Sequence, residues 1–302
     1  MAGLPSLRQL SYLVTLAETL HFTEAARRSF VTQSTLSGGI MELERMLGGA
    51  LVERSRQNVR LTPLGEQVVA RARLMLADAN DLMRLSREMG EPFTGDLHLG
   101  IIPTIAPFML APLLDAVRQQ MPRLTLHLHE VQSQTAIEQL EDSTLDMVLL
   151  ALPFAVENLH VQAIHNEPLY LVCHSDDTLA QQTYSLDDLP LDRLLLLEEG
   201  HCLREHALSA CALGDRASTA SGLTASSLPT LMQLVRAQLG FTLLPEMAVT
   251  SGFLMANPQL VARPLIQPPT RTLALLTRKS STQMAEFSRL AQLLQQIVTT
   301  AA

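Results

Sequence analysis

Three cysteines in 302 residues, Cys173, Cys202 and Cys211, cannot build the disulfide framework of a small secreted protein. In a reducing compartment they are core thiols, metal ligands or redox groups. Paired C-x-x-C spacing is missing, and a metal site drawn from His201, Cys202, His206 and Cys211 has its second cysteine badly placed. Long apolar runs are missing too. The longest, such as Leu145 to Val156, carry a charge or a proline and fall short of a membrane span. The N-terminus lacks the basic, apolar and small-residue order of a secretory signal, so a cytoplasmic location is expected. No internal repeat or low-complexity tract is present.

What is there describes a globular chain of two or three units, 47% hydrophobic and 17% charged. The net charge of −8 argues against a nucleic-acid binder until it is divided. Residues 1–93 carry net +1 and residues 94–302 net −9, so the acid excess lies wholly in the second part. Phosphate binding needs a local basic surface, not a basic whole.

Residues 5–19 have helical apolar spacing. A second helix is expected from Thr23 as N-cap, and a third from Gln33 until Gly48-Gly49 stops it. Two short helices joined by a three- to four-residue turn fit a helix-turn-helix. Residues 51–62 then read as a hairpin carrying Arg54, Arg56 and Arg60, a wing suited to phosphate contacts. Thr35 and Ser37, at the start of the third helix, are candidates for base-edge or phosphate contacts, and Gln33 can read adenine bidentately. From Thr62-Pro63 a long helix keeps roughly heptad apolar spacing through Leu64, Val68, Ala72, Met75, Ala79, Leu82 and Met89. Such a stripe calls for a partner, and dimerisation through this helix is expected.

From Gly95 the pattern alternates strands and helices, which predicts a parallel α/β sheet. Strands are expected at 96–102, 124–131 and 145–152, with helices at 104–120 and 134–142. A second lobe is expected from near Pro168, with strands at 169–173, 194–197 and 241–244 and a helix at 228–239. Residues 271–277 then return the chain to the first lobe before a terminal helix from Thr282. Expected boundaries are 1–62 for a winged helix-turn-helix, 63–92 for the linker helix and 93–302 for a two-lobed, periplasmic-binding-protein-like α/β domain. Lobe I takes 93–165 and 269–302, lobe II 166–268.

The motifs 21–26 (HFTEAA), 32–37 (TQSTLS), Leu43-Glu44, 51–54 (LVER) and 61–65 (LTPLG), in this order and spacing, resemble those of LysR-type transcriptional regulators. The resemblance extends over nearly the whole chain. It implies a homodimer or homotetramer acting on promoter DNA, with RNA polymerase as a further partner and an effector cleft between two lobes. A narrower resemblance, to the hydrogen peroxide sensors of that family, lies in 100–104 (GIIPT), 129–133 (HEVQS), 198–204 (EEGHCLR) with Cys211, and 242–245 (TLLP). It implies hydrogen peroxide as effector, Cys202 as the thiol that peroxide oxidises and Cys211 as the resolving thiol. Thr104, Ser133, His201 and Arg271 would line the peroxide pocket. Ser133 stands where those sensors commonly have threonine, Glu205 replaces a common aspartate, and 38–42 is less basic than the usual recognition helix. No cofactor is implied, and no metal.

On one continuous helix Cys202 and Cys211 would lie about 13 Å apart, on opposite faces. A disulfide tolerates Cα separations of no more than about 7 Å, so pairing them would require a helical segment to unwind. Leu203, Ala207 and Leu208 offer an apolar face whose burial would differ between the two states. A helix start, His201 and Arg204 favour a thiolate at Cys202, while Glu198 and Glu199 oppose it. Cys173, among Leu169, Leu171 and Val172, reads as a core thiol. His127 and His129 read as exposed or hydrogen-bonded groups, and Thr104 and Ser133 could instead cap helices. Two other functions fit parts of the pattern. One is a regulator of the same fold sensing a small metabolite between the lobes; the other is a thiol peroxidase using Cys202, which the DNA-binding half disfavours. A solute-binding protein has the lobes but not the N-terminal motifs.

Overall fold

A computed structural model describes residues 4–54, 59–88, 93–156, 158–210 and 223–301. It divides into two compact units, Met1–Glu91 with Asp142–Thr144, and Pro92–Glu141 with Leu145–Ala302.

The first unit is built from helices α1 (Leu7–Thr19), α2 (Phe22–Arg28) and α3 (Gln33–Leu47), a hairpin of β1 (Val52–Arg54) and β2 (Val59–Leu61), and α4 (Pro63–Glu88). Local capping explains the helix boundaries. Ser6 and Gln9 form a reciprocal capping box on α1, and Thr32 Oγ1 accepts the Thr35 N–H at 3.2 Å to start α3. Gly48, at φ 72°, ends α3 in the left-handed conformation that a side chain would resist. The expected cap at Thr23 is corrected: α2 starts two residues earlier, and His21 Nδ1 accepts the Glu24 N–H at 3.3 Å. Histidine is a rarer cap, but its ring nitrogen accepts as a side-chain oxygen would. Leu13, Leu16, Leu36, Ile40, Leu43 and Leu51 are fully buried in one core. Each contributes about 2 kcal/mol of burial free energy. Glu44 of α3 accepts the Leu51 and Val52 N–H groups at 2.9 and 3.1 Å, which ties the hairpin to the third helix.

The second unit runs β3 (Gly95–Ile101), α5 (Ala106–Gln120), β4 (Leu124–Glu130), α6 (Ser133–Glu141), β5 (Met147–Leu152), β6 (Leu159–His174), β7 (Leu196–Leu197), α7 (Cys202–Ala210), β8 (Thr224–Ala225), α8 (Leu228–Arg236), β9 (Thr242–Pro245), α9 (Glu246–Thr250), β10 (Leu260–Arg263), β11 (Thr270–Arg278) and α10 (Met284–Ala301). Its main sheet has the order β10-β6-β11-β5-β3-β4, with β9 also paired to β6. The expected all-parallel sheet is corrected to a mixed one. β3 is parallel to β4 and β5, but β11 is antiparallel to both β5 and β6. The cause is the returning strand, which enters between β5 and β6 without a helical crossover.

β6 is one unbroken strand of 16 residues, and position 166, the expected lobe boundary, falls inside it. Its first part pairs with β11 and its last part with β9 and β10. Each lobe has its own core. One gathers Leu97, Leu99, Ile101, Leu149, Leu275 and Phe287; the other Leu171, Val172, Leu195, Val235, Phe241 and Leu243. On the β3–β4 face His127 lies 2.8 Å from Asp96 Oδ1, and His129 Nε2 lies 3.1 Å from His98 Nδ1. Both expected histidines are therefore hydrogen-bonded surface groups. Among the described residues no helix is long and apolar enough to cross a membrane.

Candidate functional site

Because β3 and β4 are parallel, the segments leaving their carboxyl ends emerge at one edge of the sheet, where ligands of such sheets bind. Thr104 follows β3 there and Ser133 opens α6. Both are about 1% exposed. Neither hydroxyl caps a helix: α5 starts without a side-chain cap bond, and Ser133 Oγ is buried with no hydrogen-bond partner among the described residues.

Cys202 is the first residue of α7, a free thiol only 2% exposed. Its side chain packs with the core of the first lobe, while Leu203, Ala207 and Leu208, from the same short helix, pack with the core of the second. The turn before it depends on Gly200 at φ 92°, against which Gln132 is seated. A Cβ at Gly200 would lie 2.4 Å from Gln132 Oε1. Gln132 also brings its amide nitrogen to 3.4 Å from His201 Nε2, so the segment before α6 and the segment before α7 are in contact. His201 is buried, and its Nδ1 makes no well-formed hydrogen bond among the described residues. Burial pushes the His201 pKa down, partly offset by Glu198 and the Ser226 backbone. Arg204 is turned to the Leu197 carbonyl at 3.1 Å rather than to the thiol.

Arg271, the last of the four expected pocket residues, is fully buried and bonded through all three of its nitrogens. Its Nε donates to Glu167 Oε1 at 2.7 Å, Nη1 to Thr104 Oγ1 at 3.1 Å and Nη2 to the Thr104 carbonyl at 3.2 Å. Glu167 is its cross-strand partner in β6, and Glu167 Oε2 accepts the Met247 N–H at 3.0 Å. Arg271 thus holds Thr104 in place from behind. Glu167 has no sequence signal, being one of several polar residues between Gln162 and Pro168.

In the sequence His206 stands out only as a candidate metal ligand. It is buried one turn into α7, where Nε2–H donates to the Pro153 carbonyl at 3.1 Å. Burial pushes its pKa down to about 4, with the charge of Arg271 adding to the effect. It therefore stands neutral beside the site. Among the described residues no group of three histidine, cysteine or acidic side chains could hold a metal ion. Cys173 is buried in β6 and its thiol is pushed up to about 11 by burial, the environment of an inert core thiol. Cys211 lies outside the described residues.

In the first unit Gln33 and Thr35 are exposed at the start of α3, with Ser37 half-buried on the next turn. Gln33 Oε1 accepts a hydrogen bond from Thr23 of α2 at 3.0 Å. Arg60 is exposed on β2, and Arg54 ends β1 with a side chain outside the described residues. Arg56 lies outside them altogether.

Two family models match the chain. "Bacterial regulatory helix-turn-helix protein, lysR family" covers residues 7–66 and "LysR substrate binding domain" covers residues 90–298. The chain is 65% identical over 300 residues to the HTH-type transcriptional regulator EstR of Acinetobacter baylyi, with 99% of each covered. It is 37% identical over 289 residues to the DNA-binding transcriptional dual regulator OxyR of Escherichia coli, covering 95% of this chain and 94% of that one. A full-length OxyR variant from Pseudomonas aeruginosa superposes with a TM-score of 0.81 at 31% identity, over 97% of this chain and 95% of that one. A Corynebacterium glutamicum OxyR mutant with hydrogen peroxide bound has a TM-score of 0.65 at 33% identity, over 100% and 95%.

Proposed function

The chain belongs to the LysR family of bacterial transcriptional regulators, and from that premise we propose that it switches transcription when hydrogen peroxide oxidises Cys202. One observation carries the reading. A free thiol is sealed at the head of a short helix that packs into both lobe cores, and the turn before that helix touches Gln132, whose sequence neighbour Ser133 has a buried hydroxyl left without a partner. A buried hydroxyl without a partner is costly unless something small and polar satisfies it, and peroxide is small and polar. The relatives and solved neighbours named for peroxide point the same way.

The chemistry balances without a cofactor. The Cys202 thiolate attacks one peroxide oxygen and the O–O bond breaks. Sulfenic acid forms, and the leaving hydroxide takes a proton to become water. The Cys211 thiol then displaces that hydroxyl as a second water, leaving a Cys202–Cys211 disulfide. Ser133 and His201 orient the peroxide, and Thr104, held by Arg271, completes the polar edge. Because the thiol packs in one lobe core and Leu203, Ala207 and Leu208 in the other, withdrawing Cys202 alters the packing between lobes. That is a bistable element of the kind a switch needs.

The first unit is read as the DNA reader. Gln33, Thr35 and Ser37 face base edges or phosphates, and Arg54, Arg56 and Arg60 sit on phosphates. The exposed apolar side chains of α4, Leu64, Met75 and Leu82, serve a homodimer or homotetramer that engages RNA polymerase. Domain limits at 62 and 92 follow from this assignment of roles.

Stoichiometric peroxide followed by peptide mass spectrometry tests the reading. A Cys202–Cys211 disulfide is expected to form quickly, and Cys202→Ser is expected to abolish peroxide-dependent DNA binding. Free thiols after treatment, or unchanged peroxide dependence in the serine variant, would overturn it. A second reading has an observation of its own: the relative at 65% identity is named a transcriptional regulator with no mention of peroxide. In that reading a small metabolite with a carboxylate sits between the lobes on Thr104 and Ser133, and the cysteines are incidental.

A further inference from the structure

A cavity lies away from the thiol. It has a volume of about 580 Å³, within the roughly 300–1,000 Å³ range of small-molecule sites, and none of Thr104, Ser133, His201 or Cys202 lines it. Its walls come from four elements of the second unit. α5 contributes Phe108 and Met109, α9 contributes Met247, and α10 contributes Ile297 and Val298; β6 contributes His165 and Glu167. Phe108 is held by an edge-on contact with Phe253, ring centres 5.6 Å apart, so the apolar wall is fixed before any ligand arrives.

The polar groups on these walls decide what fits. Glu167 offers no free charge, since Arg271 takes one oxygen and the Met247 N–H the other. Glu246 is different. It is half-buried, and its carboxylate accepts a long hydrogen bond, 3.4 Å, from the Tyr170 hydroxyl. Thr250 Oγ1 is turned back to the Glu246 carbonyl at 3.1 Å. His165 is the one basic side chain on the lining among the described residues. An apolar chamber with a carboxylate at its wall repels anions and accepts hydrogen bonds.

From this geometry we infer that the cavity is a second ligand site, for an uncharged small molecule with an apolar, ring-sized body and one N–H or O–H donor directed at Glu246. The site goes beyond the redox reading of Cys202 and does not depend on it. It is not isolated, however: its Glu167 wall is hydrogen-bonded through Arg271 to Thr104 at the polar edge.

N-phenyl-1-naphthylamine is a suitable probe, being neutral, aromatic and equipped with one N–H, and its fluorescence rises in apolar surroundings. Its anionic counterpart, 8-anilinonaphthalene-1-sulfonate, adds only a sulfonate. Titrated into the full chain, the neutral probe is expected to bind saturably at one per chain and at least tenfold more tightly than the sulfonate. Thr250→Trp, at an exposed position on the lining, should weaken it at least tenfold. Glu246→Gln should narrow the gap between the two probes at least threefold. Cys202→Ser should bind as the parent does, which separates this site from the redox reading. If Thr250→Trp does not melt as the parent does, Gln296→Trp, on the α10 part of the lining, takes its place. No saturable binding by cooperatively folded protein, equal binding of both probes, or binding untouched by the tryptophan would overturn the inference.

Discussion

Replacing Arg271 with methionine should be among the most damaging single substitutions in the second unit. The side chains of Arg271 and Glu167 are 0% and 2% exposed, so each charge is tolerated only because the other is 2.7 Å away. Methionine matches the length of the arginine stem but removes every donor. Glu167 Oε1, Thr104 Oγ1 and the Thr104 carbonyl would all lose a partner in the interior. Breaking a buried pair by deleting one member costs about 3–5 kcal/mol, most of it the uncompensated charge left behind. With a urea m-value of about 2 kcal/mol/M, the midpoint should fall by roughly 2 M. The chain has no tryptophan, so far-UV circular dichroism is the practical probe. The decisive measurement is the cycle of Arg271→Met, Glu167→Leu and the double variant. Replacing both partners by apolar groups is often near neutral, so the double variant should recover much of the loss, with a coupling of about 2 kcal/mol or more. Additive losses, or a loss below about 1 kcal/mol for Arg271→Met, would refute the account of Arg271 as a charge held by its partner.

Four further outcomes are expected. The His206 pKa is about 4 when folded against 6.5 in the open chain, so the unfolded state binds more protons between these values. Its contribution is therefore fully present above pH 6.5 and lost as pH falls toward 4, about 3 kcal/mol in all. Urea midpoints at pH 7 and pH 4.5 should show a smaller difference for His206→Gln than for the parent, and equal differences would contradict its burial as a neutral ring. Gly200→Ala places a Cβ on Gln132 and a side chain at positive φ, and should cost about 1–2 kcal/mol; Gln132→Ala in the same chain should relieve only the clash, as thermal melts would reveal. Thr32→Ala removes the cap of α3 and should lower the stability of the first unit by about 1 kcal/mol, measured by thermal unfolding. Cys173, with its thiol pushed up to about 11, should resist iodoacetamide at pH 8 in folded protein and react only after denaturation; rapid labelling would contradict its place in the core.

The first unit was legible in the sequence because its signals are local. Thr32 before Gln33, Gly48 after Leu47 and Pro63 after Thr62 act on residues one to four positions away, and helix ends respond to such neighbours. The miss at α2 was of the same local kind: His21 did the work assigned to Thr23. In the second unit the alternation of strand and helix from β3 to β5 was equally readable. β6 was not, since only its apolar end from Leu169 was anticipated. The segment from Val161 to Pro168 carries glutamine, histidine, asparagine and glutamate, which weaken an isolated strand pattern.

What the sequence determined by itself is therefore the order of elements from α1 to β5, the helix-turn-helix, the two-lobed α/β class and the cysteine pattern that suggests a redox group. Only the tertiary structure decided that β11 enters antiparallel between β5 and β6, and that Glu167 meets Arg271 across 104 positions. The same holds for His206 being neutral and for Cys202 packing in one lobe core while Leu203, Ala207 and Leu208 of its helix pack in the other. The reason is physical. Backbone preferences and caps act between near neighbours, whereas strand pairing, burial and the compensation of a buried charge depend on a partner whose position no local pattern encodes.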